Sequence, residues 1–191
     1  MLQKIADFFW RIAGWKTFIP ALLIYVVFAG YVMPQGAKAI QKVCGKKVEI
    51  LDLQFSYTPE RAKAILSEYT FLGRCEAAKF ELWGDTLYPI AYTFLFLTIM
   101  GWVFKSLAVY DFRVRYIHLF PFLVLIADYS ENVGIIKMLK TYPNFSDSLV
   151  AVSSLFTSLK WSLLAVQTFI IGVALWLLTF YRITRRKAIS R

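Results

Sequence analysis

The stretch WSLLAVQTFIIGVALWLLTFY, residues 161–181, contains no charged side chain and decides the fold class. A helix needs about 20 apolar residues to cross the hydrocarbon core of a bilayer, so this stretch is long enough for one crossing. Residues 17–37 and 86–104 are also free of charge, and the apolar stretch 116–136 is interrupted by only two acidic residues. The sequence therefore predicts an all-α integral membrane protein, built as a four-helix transmembrane bundle.

The overall composition supports the same class. Of the 191 residues, 59% are hydrophobic and 18% are charged, whereas globular domains average about 45–50% apolar and about 25% charged residues. One soluble core in a chain of this length cannot bury so much apolar surface. The composition also excludes a disordered chain, a collagen-like chain and a disulfide-dense secreted scaffold. Membrane lipids are therefore the predicted surroundings of the chain.

The formal net charge of +10 is distributed unevenly along the sequence. Segments 1–16, 105–115 and 182–191 hold half of the 22 Lys and Arg residues but only two of the 12 acidic residues. Because positive residues concentrate on the cytoplasmic side of membrane proteins, both termini are predicted to be cytoplasmic, in a plasma or inner membrane. The basic tail is interpreted as an anchor on anionic headgroups, and no nucleic-acid partner is predicted.

The whole chain is predicted to form a single membrane domain. Its first helix is amphipathic, because Leu2, Ile5 and Phe9 recur at helical spacing, and it is expected to lie at the membrane interface. The predicted segments are the interfacial helix 1–16, the first span 17–37, an outer loop or cap 38–84, the second span 85–105, the third span 116–137, an outer loop with the start of the fourth helix 138–159, the fourth span 160–181 and the cytoplasmic tail 182–191.

Both cysteines, Cys44 and Cys75, lie in the predicted outer loop. In an oxidising compartment this placement predicts a disulfide between them, which would tie the start of the loop to the second span. Two free thiols are the alternative, because two cysteines form a weak pattern. Residues 48–55 alternate in hydrophobicity and predict a short strand or an extended segment.

Ionisable side chains inside predicted spans are costly and therefore mark the candidate site. Asp128 and Glu131 lie one helical turn apart, and about 1.5 Å of rise per residue places Lys160 roughly 8–13 Å above them. The two carboxylates thus lack a basic partner at their own depth, which predicts a bound proton, cation or substrate amine. The predicted ligand-binding residues are Asp85, Tyr88, Tyr92, Asp128, Glu131, Asn132, Lys160, Gln167 and Arg74.

The leading functional prediction is an acidic cavity, open to the outer leaflet, that binds a small amphiphile, a lipid headgroup or a cation. The role would be binding, transport or an accessory function. Oxygen ligands from Asp128 and Glu131 also suit Ca²⁺ or Mg²⁺, although no cofactor follows firmly. Four spans are few for a transporter, so transport predicts a homo-oligomer or a larger membrane complex.

Two alternatives of other classes stay open at this point. An integral-membrane enzyme acting on a lipid would use Asp128 or Glu131 as a general base or metal ligand, with Lys160 or Arg74 holding a phosphate. A scaffold subunit without a ligand would pair its acids internally. The sequence contains no pattern that singles out a catalytic residue.

Overall fold

A computed structural model describes residues 2–107 and 116–189, with side chains described as far as residue 184. Every regular element in these residues is helical, which confirms the all-α class and excludes strands from the described part. The elements are α1 (Leu2–Ile12), α2 (Trp15–Val27), a π-helical turn (Phe28–Val32), α3 (Met33–Cys44), a 3₁₀ turn (Leu51–Leu53), α4 (Pro59–Ser67), α5 (Phe71–Ser106), α6 (Pro121–Thr141) and α7 (Asp147–Ile189).

Three described helices are long and apolar enough to cross a membrane, which indicates a membrane-embedded protein. They are the continuous helix Trp15–Cys44, helix α5, and residues Asp147–Thr184 of α7. Helix α6 does not reach the same hydropathy, because acidic and basic side chains interrupt its apolar sequence. It packs instead between α5 and α7, with which it makes its main contacts. A fourth span in α6 therefore stays a prediction.

Helix α1 packs at one end of the bundle. There, Lys105 Nζ at the end of α5 donates hydrogen bonds to the backbone carbonyls of Arg11 and Ala13, at 3.2 and 2.8 Å. These bonds place the first helix beside the C-terminal end of α5. The buried side chains of this end are Trp10, Met100, Val103, Phe104, Ile171, Ala174 and Leu178. Residues 108–115, part of a predicted cytoplasmic segment, lie outside the described residues.

Residues 45–70 fold over the opposite end, which we call the cap end. Thr58 begins α4 by accepting a hydrogen bond from the Arg61 backbone N–H at 3.2 Å, and Pro59 follows it at the first helical position. For residues 48–55 the strand prediction is wrong, because no neighbouring strand is present in the described chain to pair with it, whereas Ile50 and Gln54 are extended as the alternative predicted. The segment instead makes a 3₁₀ turn that buries Leu51.

The predicted disulfide between Cys44 and Cys75 is not formed, and both side chains are free thiols. Cys44 is buried on α3, and its Sγ lies directly against the Cα of Gly73 on α5. Cys75 comes two residues after that glycine, and two residues rotate an α-helix by about 200°. Its side chain therefore faces away from Cys44 and is exposed.

Helices α6 and α7 approach most closely at Gly134. A Cβ atom added there would lie 2.5 Å from Ser153 Oγ and 2.6 Å from Ser153 Cβ, whereas one added at Gly172 would meet nothing within 4 Å. Overpacking at a close contact typically costs 1–3 kcal/mol. We expect Gly134→Leu to lower the free energy of unfolding by about 2–3 kcal/mol, and the control Gly172→Leu to change it by less than about 0.5 kcal/mol. Unfolding in mixed micelles measures the free energy of unfolding of both variants. Equal stabilities of the two variants would contradict the close contact between Gly134 and Ser153.

Candidate functional site

Four polar residues of α5 share one face of the helix. Glu81, Asp85, Tyr88 and Tyr92 follow one another at spacings of three and four residues, which brings them to the same side. This face turns toward α6 and α7, where the structure places Asp128, Glu131, Asn132 and Lys160. The polar residues at this interface form two groups. One is a network of ion pairs and hydrogen bonds, and the other lines a cavity.

The first group is the Lys160 network, formed by Lys160, Glu131, Asp52 and Thr157. Lys160 Nζ lies 2.6 Å from Glu131 Oε2 and also contacts Asp52 Oδ1. The hydroxyl of Thr157 donates to Glu131 Oε1 at 2.8 Å. The Lys160 side chain is 4% exposed and that of Glu131 is fully buried, so this is a buried ion pair with hydrogen-bond support.

The prediction that the Asp128 and Glu131 pair lacks a basic partner at its depth is wrong for Glu131. A count of helical rise places the backbone of Lys160 well above the acids, but it ignores the side chain. The four-carbon stem of a lysine can carry its ammonium group far from its own Cα. Here the ammonium reaches Glu131, which is therefore paired inside the protein.

Asp52 lies in residues 45–70, which we call the cap segment, and Tyr57 holds this segment against α7. Its hydroxyl shares a 2.9 Å hydrogen bond with Ser153 Oγ, and its backbone N–H donates to Ser154 Oγ at 2.8 Å. Burial raises the pKa of Tyr57 above its ordinary value, so the hydroxyl stays neutral near pH 7. Ser158 adds a third link by donating to the Phe55 carbonyl at 2.9 Å. The cap segment is thus held in place along one side of α7.

The second group lines a cavity of about 380 Å³ between α2, α5, α6 and α7. Tyr92 donates a 2.7 Å hydrogen bond to Asp128 Oδ2. Asp128 Oδ1 and Asp85 Oδ2 have no hydrogen-bond partner among the described residues, although each residue is only 4% exposed. The polar lining residues are Asp52, Asp85, Asp128 and Lys160, and the apolar ones include Ala29, Met33, Leu53 and Leu164.

Aromatic rings make up a large part of the cavity wall. The rings of Tyr25 and Tyr88 stack with 5.9 Å between centroids, and Tyr88 meets Tyr92 edge-on at 5.5 Å. Phe96 continues this row, 6.2 Å from Tyr92. On the opposite side, Trp161 lies beneath the ammonium group of Lys160 at 5.5 Å. The cavity therefore combines buried carboxylates with a wall of aromatic rings.

Four predicted residues lie outside this cavity: Glu131, which belongs to the Lys160 network, and Asn132, Gln167 and Arg74. Asn132 donates to the backbone carbonyl of Asp85 at 3.1 Å and so supports the cavity wall from behind. Gln167 is fully buried on α7 but does not line the cavity. The placement of Arg74 near the mouth is wrong, because Arg74 precedes Asp85 by about 16 Å of helical rise. Its guanidinium instead stacks on Tyr142 at 4.4 Å, at the cap end.

Other residues of the site had been missed from the sequence. Glu81 is buried on the same face of α5 as Asp85, with Oε2 unpartnered among the described residues. Its spacing of four residues from Asp85 could have revealed it. Asp52 and Tyr57 carry no such signal, because both stand in an irregular segment. Tyr25 and Trp161 resemble ordinary interface aromatics in sequence.

The described side chains contain no group of three or more His, Cys, Asp or Glu residues close enough to hold a metal ion. The predicted Ca²⁺ or Mg²⁺ site therefore stays a prediction. Comparison with models of protein families, with curated proteins and with solved structures finds no match to this chain. Function is accordingly inferred from the chemistry of the cavity.

Proposed function

We propose that the protein is a polytopic membrane protein that binds a small amphiphile, a lipid headgroup or a cation in the cavity between α2, α5, α6 and α7. The observation that carries this proposal is the pair of unpartnered carboxylate oxygens on Asp85 and Asp128, both on buried residues that line the cavity. A buried polar group without a partner is costly unless something binds it. A bound ligand would supply the missing contacts.

The same proposal includes a membrane arrangement with α6 as a fourth span and both termini in the cytoplasm. Lys4, Arg11, Lys16 and Lys105 belong to helices that meet at the α1 end of the bundle, as expected for a cytoplasmic face. The cap end would then lie on the outer side. The cavity extends from Asp52 of the cap to Phe96 of α5, so it would open toward the outer leaflet.

The alternative of a scaffold subunit without a ligand fits only the Lys160 network. Glu131 and Lys160 are paired within the chain, and such a pair fixes the positions of α6 and α7 without any ligand. Asp85 and Asp128, which line the cavity, have no equivalent pairing. A lipid-modifying enzyme would use the same cavity, with Asp128 positioned by Tyr92 as its base, so ligand binding is the step that both functions share.

A cavity-filling variant tests the proposed function. Ala29 lines the cavity, whereas Val26 on the same helix is 53% exposed and faces away from the bundle. We expect Ala29→Trp to reduce the amphiphile that copurifies with the protein to below about a tenth of the wild-type amount, because the indole occupies its space. Val26→Trp should leave the amount unchanged. Extraction and mass spectrometry, per mole of purified protein, measure the ligand, and equal amounts in all three proteins would contradict the proposal.

A further inference from the structure

We propose that the cavity takes an organic ammonium group carried on an apolar tail. This inference rests on the proposed function and names the chemical class of its ligand. The ammonium would lie between the carboxylates of Asp85 and Asp128, and the tail would extend sideways into the lipid between α2 and α7. The charge balance, the aromatic wall and the shape of the opening each support it.

The charge balance of the cavity favours a cation. Lys160 is the basic residue of the lining, and it is already committed to Asp52 and Glu131. Neither Asp85 nor Asp128 forms an ion pair with a described basic side chain, and each keeps an unpartnered oxygen. An anionic ligand would be repelled by these two carboxylates, whereas a cation would reduce the cost of burying them.

The aromatic wall distinguishes an organic cation from a metal ion. Rings of Tyr25, Tyr88 and Tyr92 lie beside the two acids, and an ammonium within about 6 Å of such a ring gains a cation–π attraction. A hard divalent metal takes about six to eight oxygen ligands, waters included, and so makes no use of an aromatic and apolar wall. The volume of about 380 Å³ lies in the range typical of sites for small organic molecules, about 300–1,000 Å³.

The opening between α2 and α7 suits an apolar tail. Both helices contact α5, but among the described residues they do not pack extensively against each other. Met33 and Leu164 line the cavity on these two sides. Beyond them, α2 exposes apolar side chains that include Ile19 and Leu22. A ligand can therefore place its charged group against the acids while its tail stays among lipid chains.

Binding of two matched amphiphiles to the purified full chain in maltoside micelles tests this inference. The probes are dodecylammonium and dodecyl phosphate, and their binding is followed by isothermal titration calorimetry and by the change in tryptophan fluorescence. We expect saturable binding of the ammonium probe that weakens at least about tenfold in Asp85→Asn and in Asp128→Asn. Asp147→Asn, which removes an exposed carboxylate from α7, should leave the affinity unchanged. Asn at position 128 still accepts from Tyr92, so this variant should fold, and a thermal melt checks that it does.

The possible outcomes separate the inference from the proposed function. If dodecyl phosphate binds as tightly as the ammonium, or if both Asn variants bind like the wild type, the ammonium inference is overturned while a cavity for amphiphiles stands. Displacement of the probe by millimolar Mg²⁺ alone would overturn it in favour of a hard cation. If Ala29→Trp binds both probes as the wild type does, the proposed function itself fails.

Discussion

Replacing Lys160 with Leu is expected to lower the free energy of unfolding by about 3–5 kcal/mol, because removing one partner of a buried ion pair leaves its acids uncompensated. The acids concerned are Asp52 and Glu131, and the latter is fully buried. Lys63→Leu is the matched control, since Lys63 pairs with Asp147 at 3.0 Å where both side chains are exposed. Exposed pairs contribute about 0–1 kcal/mol, so the control should change stability little.

Neutralising the acids should rescue the Lys160 variant. The triple variant Lys160→Leu, Glu131→Gln and Asp52→Asn is expected to recover most of the lost stability, because it leaves no unpaired charge at the positions of the Lys160 network. Glu131→Gln alone should be milder than Lys160→Leu, because its amide oxygen still accepts from Thr157 and Lys160 keeps Asp52. Unfolding by sodium dodecyl sulfate in mixed micelles gives the ranking. If Lys160→Leu proves as stable as Lys63→Leu, the network does not hold the helices together.

Tyr57→Ala is expected to cost a similar amount, about 3–5 kcal/mol, because it empties a buried aromatic site. Tyr57 packs among the buried residues of the cap end and forms hydrogen bonds to two serines of α7. Tyr57→Phe keeps the ring and should cost only about 1 kcal/mol, the usual value of one hydrogen bond. Phe55→Ala is the control, because Phe55 is 61% exposed two residues away.

The Tyr57 and Lys160 variants should not be additive. Tyr57 holds the segment that carries Asp52, so its loss also weakens the contact between Asp52 and Lys160. The double variant Tyr57→Ala and Lys160→Leu is therefore expected to lose less stability than the sum of the single losses. Equal stabilities of Tyr57→Ala and Tyr57→Phe would show that the ring does not anchor the cap.

The helical period explains which features could be predicted from the sequence. Long uncharged stretches indicated the apolar helices, and the structure confirms three that are able to cross a membrane. The spacing of Asp85, Tyr88 and Tyr92 placed them on one face of α5, where they line the cavity together. Such patterns are local, so they predict which side chains lie on the same face of a helix.

Contacts between distant segments could not be predicted in the same way. Asp52 contacts Lys160 because the irregular cap segment folds back over α7. No periodic pattern in the sequence predicts this fold of the segment. The predicted position of the Lys160 ammonium group was wrong because the helical rise per residue gives the position of the backbone and not that of the end of a long side chain. Cys44 and Cys75 lie in the same predicted loop, but Cys44 packs against Gly73 of α5. Cys75 follows Gly73 by two residues, so its side chain leaves α5 on the opposite side.

The helix Trp15–Cys44 has protein on one side only, and its buried residues are Ala21, Gly36, Ile40 and Cys44. Its 30 residues span about 45 Å, whereas a bilayer core is about 30 Å thick. In the membrane arrangement that we propose, the surplus is the end of the helix with Lys38 and Lys42, which lies outside the core, and a thinner bilayer would tilt the uncharged part 17–37. Because the same helix carries Tyr25, Ala29 and Met33 of the cavity wall, such a tilt would move this wall relative to α7 and change the width of the opening between the two helices.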